Sequence, residues 1–157
     1  MNDEKKREFT RRITAANPTE MIVILYDMTL TYLEDAREAI DTGDIPRLSK
    51  ELGRARGCLS ELIRSLHLEY DPAPVMMQLY RFCIRRLAAC EASKNPEPLE
   101  EIRRVVGPLR DSYAQLAAKT GGAPVMDNSQ SVYAGLTYGR GSLNENLVGN
   151  ANRGFLV

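Results

Sequence analysis

The sequence contains no tryptophan and a single histidine, His67, among its 157 residues. Its three cysteines, Cys58, Cys83 and Cys90, form no Cys-x-x-Cys pair. One histidine cannot supply the two Glu-x-x-His pairs of a di-metal helical site, so we expect neither a metal nor a cofactor. An odd number of unpaired cysteines favours buried, reduced thiols, which are typical of a cytosolic protein. No apolar run approaches the roughly 18 residues that span a bilayer, so membrane insertion is not expected.

The sequence also has no net charge, because 21 lysines and arginines balance 21 aspartates and glutamates. Binding to nucleic acid or anionic lipid mainly by charge needs a basic surplus, so we expect neither as a main partner. The balance is uneven: residues 1–16 hold five basic and three acidic groups, residues 17–119 hold 14 and 16, and residues 120–157 hold two of each. Residues 120–157 also carry seven of the eleven glycines. We therefore predict an N-terminal arm (1–16), a folded domain (17–119) and an irregular Gly/Asn-rich C-terminal tail (120–157).

The folded domain shows helical spacing of apolar residues and no sustained alternation with period two. Asn17 and Asp44 are candidate capping residues of the first two helices, prolines open the third and fourth helices, and Gly43 is a typical helix end. The starts lie at Asn17-Pro18, Asp44, Asp71-Pro72 and Asn95-Pro96. Short connections between amphipathic helices place successive helices side by side and antiparallel. The sequence therefore predicts an all-α fold, an antiparallel up-down four-helix bundle.

Motifs of nucleophilic catalysis and phosphate-binding loops are missing, so we expect the protein not to be an enzyme. Two arginine pairs, Arg85-Arg86 and Arg103-Arg104, remain as candidates for an anion site. Helical phase places both pairs off the apolar stripes, where a solvated face is the simpler interpretation. An enzyme acting on an anionic metabolite would instead require inward-facing clusters of arginine and glutamate.

The first and third predicted helices carry more apolar residues than one core-facing stripe requires. The additional residues are Ile22, Val23, Ile24, Tyr26, Leu30, Leu33, Val75, Met77, Phe82 and Ile84. Two interpretations remain open at this point. Either the bundle has a broad core with ordinary partial exposure, or an exposed groove receives an amphipathic helix of a partner.

Several short motifs follow one another in a fixed order along the bundle. The first helix begins with Asn17-Pro-Thr-Glu-Met-Ile-Val-Ile-Leu-Tyr-Asp27 and breaks at Gly43-Asp44. Later motifs are Arg54-Ala-Arg56, Leu79-Tyr80, Arg85-Arg86-Leu87 and Leu109-Arg110-Asp111. This ordered set, which covers residues 9–116, resembles the FliS family of flagellar secretion chaperones.

The resemblance implies a cytosolic export chaperone without enzymatic activity. Proteins of that family bind the disordered C-terminal segment of flagellin, prevent its premature polymerisation and assist its delivery to the flagellar export apparatus. The resemblance therefore implies flagellin as the partner and the export apparatus as a second contact, and it leaves a homodimer open. The alternative is a regulatory or structural helical-bundle protein with another protein partner.

The resemblance also suggests where the partner binds. We expect the contact on the outer faces of the second, third and fourth helices of the bundle. The candidates are apolar residues on these helices: Ile63, Met77, Tyr80, Ile84 and Val105. Members of the family fold an N-terminal segment against the groove, so Phe9 and Ile13 are candidates for an autoinhibitory contact that competes with flagellin. Removal of residues 1–16 is then expected to tighten the binding of a flagellin peptide.

The tail suggests a second hypothesis. Leu143 and Leu147 share one helical face, and residues 155–157 are Phe-Leu-Val. Flagellin C-termini likewise combine Asn/Gln-rich stretches with an apolar cluster, so the tail is a candidate occupant of the groove. The alternatives are a flexible tail and a tail that is recognised by the export machinery.

Overall fold

The computed structural model describes residues 1–120 and contains five helices and no strand within that range. The helices are α1 (Asp3–Ala15), α2 (Pro18–Thr42), α3 (Ile45–Arg64), α4 (Ala73–Ser93) and α5 (Glu97–Thr120). Helices α2 and α4 each pack along both α3 and α5, so α2 and α4 occupy opposite corners of a four-helix bundle. The predicted all-α bundle is confirmed. Residues 121–157, which make up nearly all of the predicted tail, lie outside the described residues.

The boundaries of α2 and the start of α3 follow from local capping, whereas α4 begins after Pro72 without a side-chain cap. The Asn17 side chain accepts a hydrogen bond of 2.9 Å from the Glu20 N–H, while the Glu20 carboxylate accepts one of 3.0 Å from the Asn17 N–H. This reciprocal capping box fixes the start of α2. Helix α2 ends at Gly43, whose φ of 70° lies in the left-handed region that favours glycine. Asp44 then caps α3 by accepting a hydrogen bond of 3.0 Å from the Arg47 N–H.

The N-terminal arm adds a fifth helix to the four that were predicted. The Asn2 side chain accepts a hydrogen bond of 2.8 Å from the Lys5 N–H, and two acidic residues follow in the first turn of α1. An N-cap with negative charge behind it stabilises a helix N-terminus. Only Ala16 and Asn17 separate α1 from α2, so the two helices form a helical hairpin.

Helix α2 is the most buried helix of the molecule. Four of its additional apolar residues, Val23, Ile24, Tyr26 and Leu33, are buried, and Ile22 and Leu30 are half-buried. Since α2 contacts α1 as well as α3 and α5, it needs more apolar surface than one stripe provides. For α2 the broad-core interpretation is therefore correct. None of the helices in the described part of the chain is long and apolar enough to cross a membrane.

Candidate partner-binding surface

Helix α1 lies antiparallel to α2 and is attached by ion pairs along its length. The Lys5 Nζ lies 3.8 Å from the Glu34 carboxylate, and the Arg12 Nη2 lies 2.6 Å from the Asp27 carboxylate. The other Asp27 oxygen accepts a hydrogen bond of 2.7 Å from the Nε of Arg110 on α5. One carboxylate thus joins α1, α2 and α5. The paired charges raise the pKa of the Arg110 guanidinium, chiefly through its hydrogen bond to Asp27.

The apolar face of α1 consists of the two residues that the sequence singled out. Phe9 and Ile13 are 5% and 2% exposed, and both belong to the core cluster of the bundle. They lie four residues apart and therefore share one face of the helix. The Arg12 guanidinium sits 5.5 Å from the centroid of the Phe9 ring, which adds a cation–π contact. The remaining surface of α1 is largely polar and exposed.

The groove between α2 and α5 that holds α1 is not completely filled. A cavity of about 360 Å³ remains between the C-terminal half of α1, α2 and the C-terminal half of α5. Its lining residues are Arg12, Ala15, Glu20, Val23, Ile24, Ala114 and Ala117. Small alanines on α5 and α1 and branched residues on α2 leave this space. The groove between α2 and α5 is thus broader than the helix that occupies it.

Four of the five predicted partner residues, Ile63, Met77, Ile84 and Val105, lie on α4 or along its boundaries with α3 and α5. Met77, Ile84 and Glu91 are spaced seven residues apart and therefore lie on one side of α4. Glu91 pairs with Arg56 of α3 at 3.1 Å, so this side of α4 faces α3. Ile63 follows Arg56 by seven residues, so it lies along the same α3–α4 boundary. We name Ile63, Met77 and Ile84 the α3–α4 strip. All three are half-buried.

The opposite side of α4 faces α5. Arg86 of α4 pairs with Glu101 of α5 at 2.7 Å. Phe82 precedes Arg86 by four residues, Val105 follows Glu101 by four residues, and both are half-buried. We name Phe82 and Val105 the α4–α5 strip. Ile63 and Ile84 thus lie on a different side of α4 from Val105, and none of these residues lies beside Phe9 or Ile13.

The fifth predicted residue, Tyr80, is only 1% exposed and forms part of a buried tyrosine cluster. The Tyr80 and Tyr26 hydroxyls are hydrogen-bonded to each other, and the Tyr113 ring centroid lies 5.8 Å from that of Tyr26. Tyr113 donates a hydrogen bond of 3.6 Å to the sulfur of Met76. Burial raises the pKa of all three tyrosines, that of Tyr80 to about 12.

An apolar pocket of about 610 Å³ opens beside this cluster at one end of the bundle. It lies where α2 and α4 begin and where α3 and α5 approach their ends. Its principal apolar residues are Met21, Ile22, Leu25, Leu66, Met76, Tyr80 and Tyr113. Tyr70, which also lines the pocket, and Val75, next to Met76, are 68% and 60% exposed. We call this space the end pocket. Its volume falls within the roughly 300–1,000 Å³ that is common for ligand pockets.

Sequence reasoning missed two features of this surface. It did not identify Asp27 and Arg110 as the ionic anchor of α1, although both belong to the motifs quoted for the resemblance. It also did not predict the end pocket, whose residues come from four helices and the α3–α4 connection. No group of metal-binding side chains occurs within residues 1–120, and both predicted arginine pairs lie on exposed or half-exposed positions.

Comparison with known proteins agrees with this architecture. The family model "Flagellar protein FliS" matches residues 1–120. The flagellar secretion chaperone FliS of Bacillus subtilis is 26% identical over 103 residues, which cover 66% of this chain and 77% of the relative. Its counterpart from Vibrio cholerae is 23% identical over 114 residues, covering 71% and 84%. The matched family is not a family of enzymes, in agreement with the sequence prediction. With its model matching about three quarters of the sequence, the chain belongs to the FliS family of flagellar proteins.

Proposed function

We propose that this protein is a cytosolic flagellar secretion chaperone that binds the disordered C-terminal segment of flagellin, prevents its premature polymerisation and assists its delivery to the export apparatus. The names of the relatives support the chaperone role. The observation that carries the binding mode is α1. It is an amphipathic helix that is attached to the outside of the bundle by two buried apolar side chains and by ion pairs.

Helix α1 supports a helical ligand for this groove. A helix with apolar residues at positions i and i+4 and a polar outer face fits between α2 and α5. A flagellin segment that folds as such a helix competes directly with α1, and the incomplete filling of the groove favours a bulkier ligand. A disordered segment that folds on binding loses conformational entropy, so the complex is specific without being excessively tight.

The remaining apolar strips extend this proposed surface. The α3–α4 strip lies on the face opposite the α2–α5 groove and the α4–α5 strip lies on an adjacent face, so a single helix cannot cover both strips and the groove together. A long disordered client wraps around a compact bundle more readily than a rigid one. We therefore assign Ile63, Met77, Ile84, Phe82 and Val105 to further segments of the same client. Tyr80 supports this surface from inside, through its hydrogen bond to Tyr26.

Substitutions on α1 test the competition. In the full chain, Phe9→Ser combined with Ile13→Ser removes the apolar contacts that hold α1. Burial of such side chains contributes about 1.5–3 kcal/mol each, so the apparent affinity for a flagellin C-terminal peptide is expected to rise at least about tenfold in calorimetry. Glu8→Ser with Arg11→Ser is the matched control, because both residues are exposed on the same helix and the net charge is unchanged.

The outcomes separate the two parts of this proposal. No binding of the flagellin peptide to any variant would contradict the function. Binding with equal affinity to the wild type and the Phe9→Ser/Ile13→Ser variant would leave the function intact and refute competition by α1. An Ile84→Glu substitution then tests the α3–α4 strip, since a charge on a half-buried apolar position weakens a contact that covers it.

A further inference from the structure

The end pocket lies at the point where α5 leads into residues 121–157. Tyr113 lines the pocket, and Thr120, the last residue of α5, follows it by seven residues. Seven residues of helix span about 10 Å. The chain therefore leaves the described part of the molecule next to an apolar pocket that the helices of the bundle do not fill.

The segment that follows has a composition suited to such a pocket. Residues 120–157 contain only four charged side chains, and residues 154–157 read Gly-Phe-Leu-Val. Large apolar side chains in an otherwise polar segment gain free energy when they leave water, about 25 cal/mol for each Å² that is buried. Met21, Leu25, Met76 and Tyr113 present apolar and aromatic surface to them in the pocket.

We propose that Phe155 and Leu156 occupy the end pocket of their own chain. This occupant goes beyond the function proposed above, because it concerns a different site from the α2–α5 groove and a ligand that the chain itself supplies. Residues 121–154 form the connection. Its 34 residues reach about 110 Å when extended, and a flexible chain of this length has a mean end-to-end distance of about 30 Å.

Tethering makes even a weak contact effective. A connection of this kind presents its far end at an effective concentration on the order of millimolar. Phe155 and Leu156 therefore occupy the pocket for much of the time even if their intrinsic dissociation constant is millimolar. A separate ligand for the end pocket must compete with them, just as a client for the groove competes with α1.

Paramagnetic NMR on the full chain tests this occupant. A nitroxide attached through the Asn152→Cys substitution weakens the NMR signals of nearby methionine methyl groups, so a loss of signal intensity reports proximity. Cys58 and Cys83 do not interfere, since burial raises the pKa of each thiol to about 12 and Cys90 is buried as well. We expect the Met21 and Met76 methyl signals to lose most of their intensity. Met1, whose ammonium group pairs with Asp35 in the C-terminal half of α2, is the distant reference.

Two variants and one mixture complete the experiment. Phe155→Ser with Leu156→Ser is expected to restore the Met21 and Met76 signals, whereas Asn150→Ser with Arg153→Ser, the matched polar control, leaves them attenuated. Undiminished signals in the labelled parent, or equal attenuation in both variants, would refute the proposal. Attenuation in a mixture of spin-labelled and isotope-labelled chains would refute occupancy within one chain. Flagellin is absent from these samples, so failure here is independent of the proposed function.

Discussion

Asp27 of α2 holds Arg12 of α1 at 2.6 Å through one carboxylate oxygen, while its other oxygen binds Arg110 of α5. A second carboxylate of α2, Glu34, lies between Lys5 of α1 and Arg103 of α5 at the longer distances of 3.8 and 3.6 Å. Arg12 is about one-third exposed, so solvent screens this pair and its contribution is modest. The two apolar side chains of α1 supply most of its attachment, and Asp27 sets its register along α2.

Asp27→Asn is expected to loosen α1 without unfolding the bundle. The substitution removes the charge that pairs with Arg12, which is worth about 0.2–1 kcal/mol for a partly exposed ion pair. Amide hydrogen exchange within α1 should therefore accelerate by up to about fivefold, while exchange in α3 and α4 stays unchanged. Asp111→Asn is the control, because Asp111 also contacts Arg110 but lies on the exposed face of α5. Equal acceleration in the two variants would contradict the role of Asp27.

Stability is expected to fall at alkaline pH because of the tyrosine cluster. Burial raises the folded pKa of Tyr80 from 10.0 to about 12 and also raises that of Tyr26, so the unfolded chain loses these protons first. The stabilisation is complete below pH 10 and is lost as the pH rises from 10 towards 12. The free energy of unfolding falls by at most about 1.4 kcal/mol per pH unit for each tyrosine.

Urea denaturation across this pH range measures the effect. Tyr26→Phe with Tyr80→Phe should flatten the decline, since both hydroxyls are removed together and neither is left buried without a partner. Tyr70→Phe, at an exposed position outside the cluster, should leave the decline of stability with pH as steep as in the parent protein. A decline of the same steepness in the double variant would show that other groups cause it.

Two glycines are expected to respond in opposite directions to alanine. Gly43 has a φ of 70°, so Gly43→Ala forces an L-residue into the left-handed region and should lower the free energy of unfolding by about 1–2 kcal/mol. Gly53 lies inside α3 with open space around an added Cβ atom. Gly53→Ala should therefore raise stability by about 0.5–1 kcal/mol. Thermal or urea unfolding of both variants checks the sign as well as the size.

The sequence predicted best what local chemistry determines. Asn17, Gly43 and Asp44 mark helix ends because caps act within one turn, so the sequence alone predicts all three. Helix α1 was not predicted as a helix, because Phe9 and Ile13 are its only large apolar residues and two positions do not define a stripe. The pairing of Asp27 with Arg110 joins residues 83 apart in the sequence. Such contacts, like the end pocket, depend on how complete helices pack.

The capping box at Asn17 separates the start of α2 from the attachment of α1. Because Asn17 and Glu20 complete the start of α2 on their own, displacement of α1 leaves the N-terminal cap of α2 intact. The detached helix stays tied to the rim of its groove by two residues. Such a short link gives a displaced α1 a high effective concentration at the groove. In the proposed function, α1 therefore closes the groove after each departure of a flagellin segment.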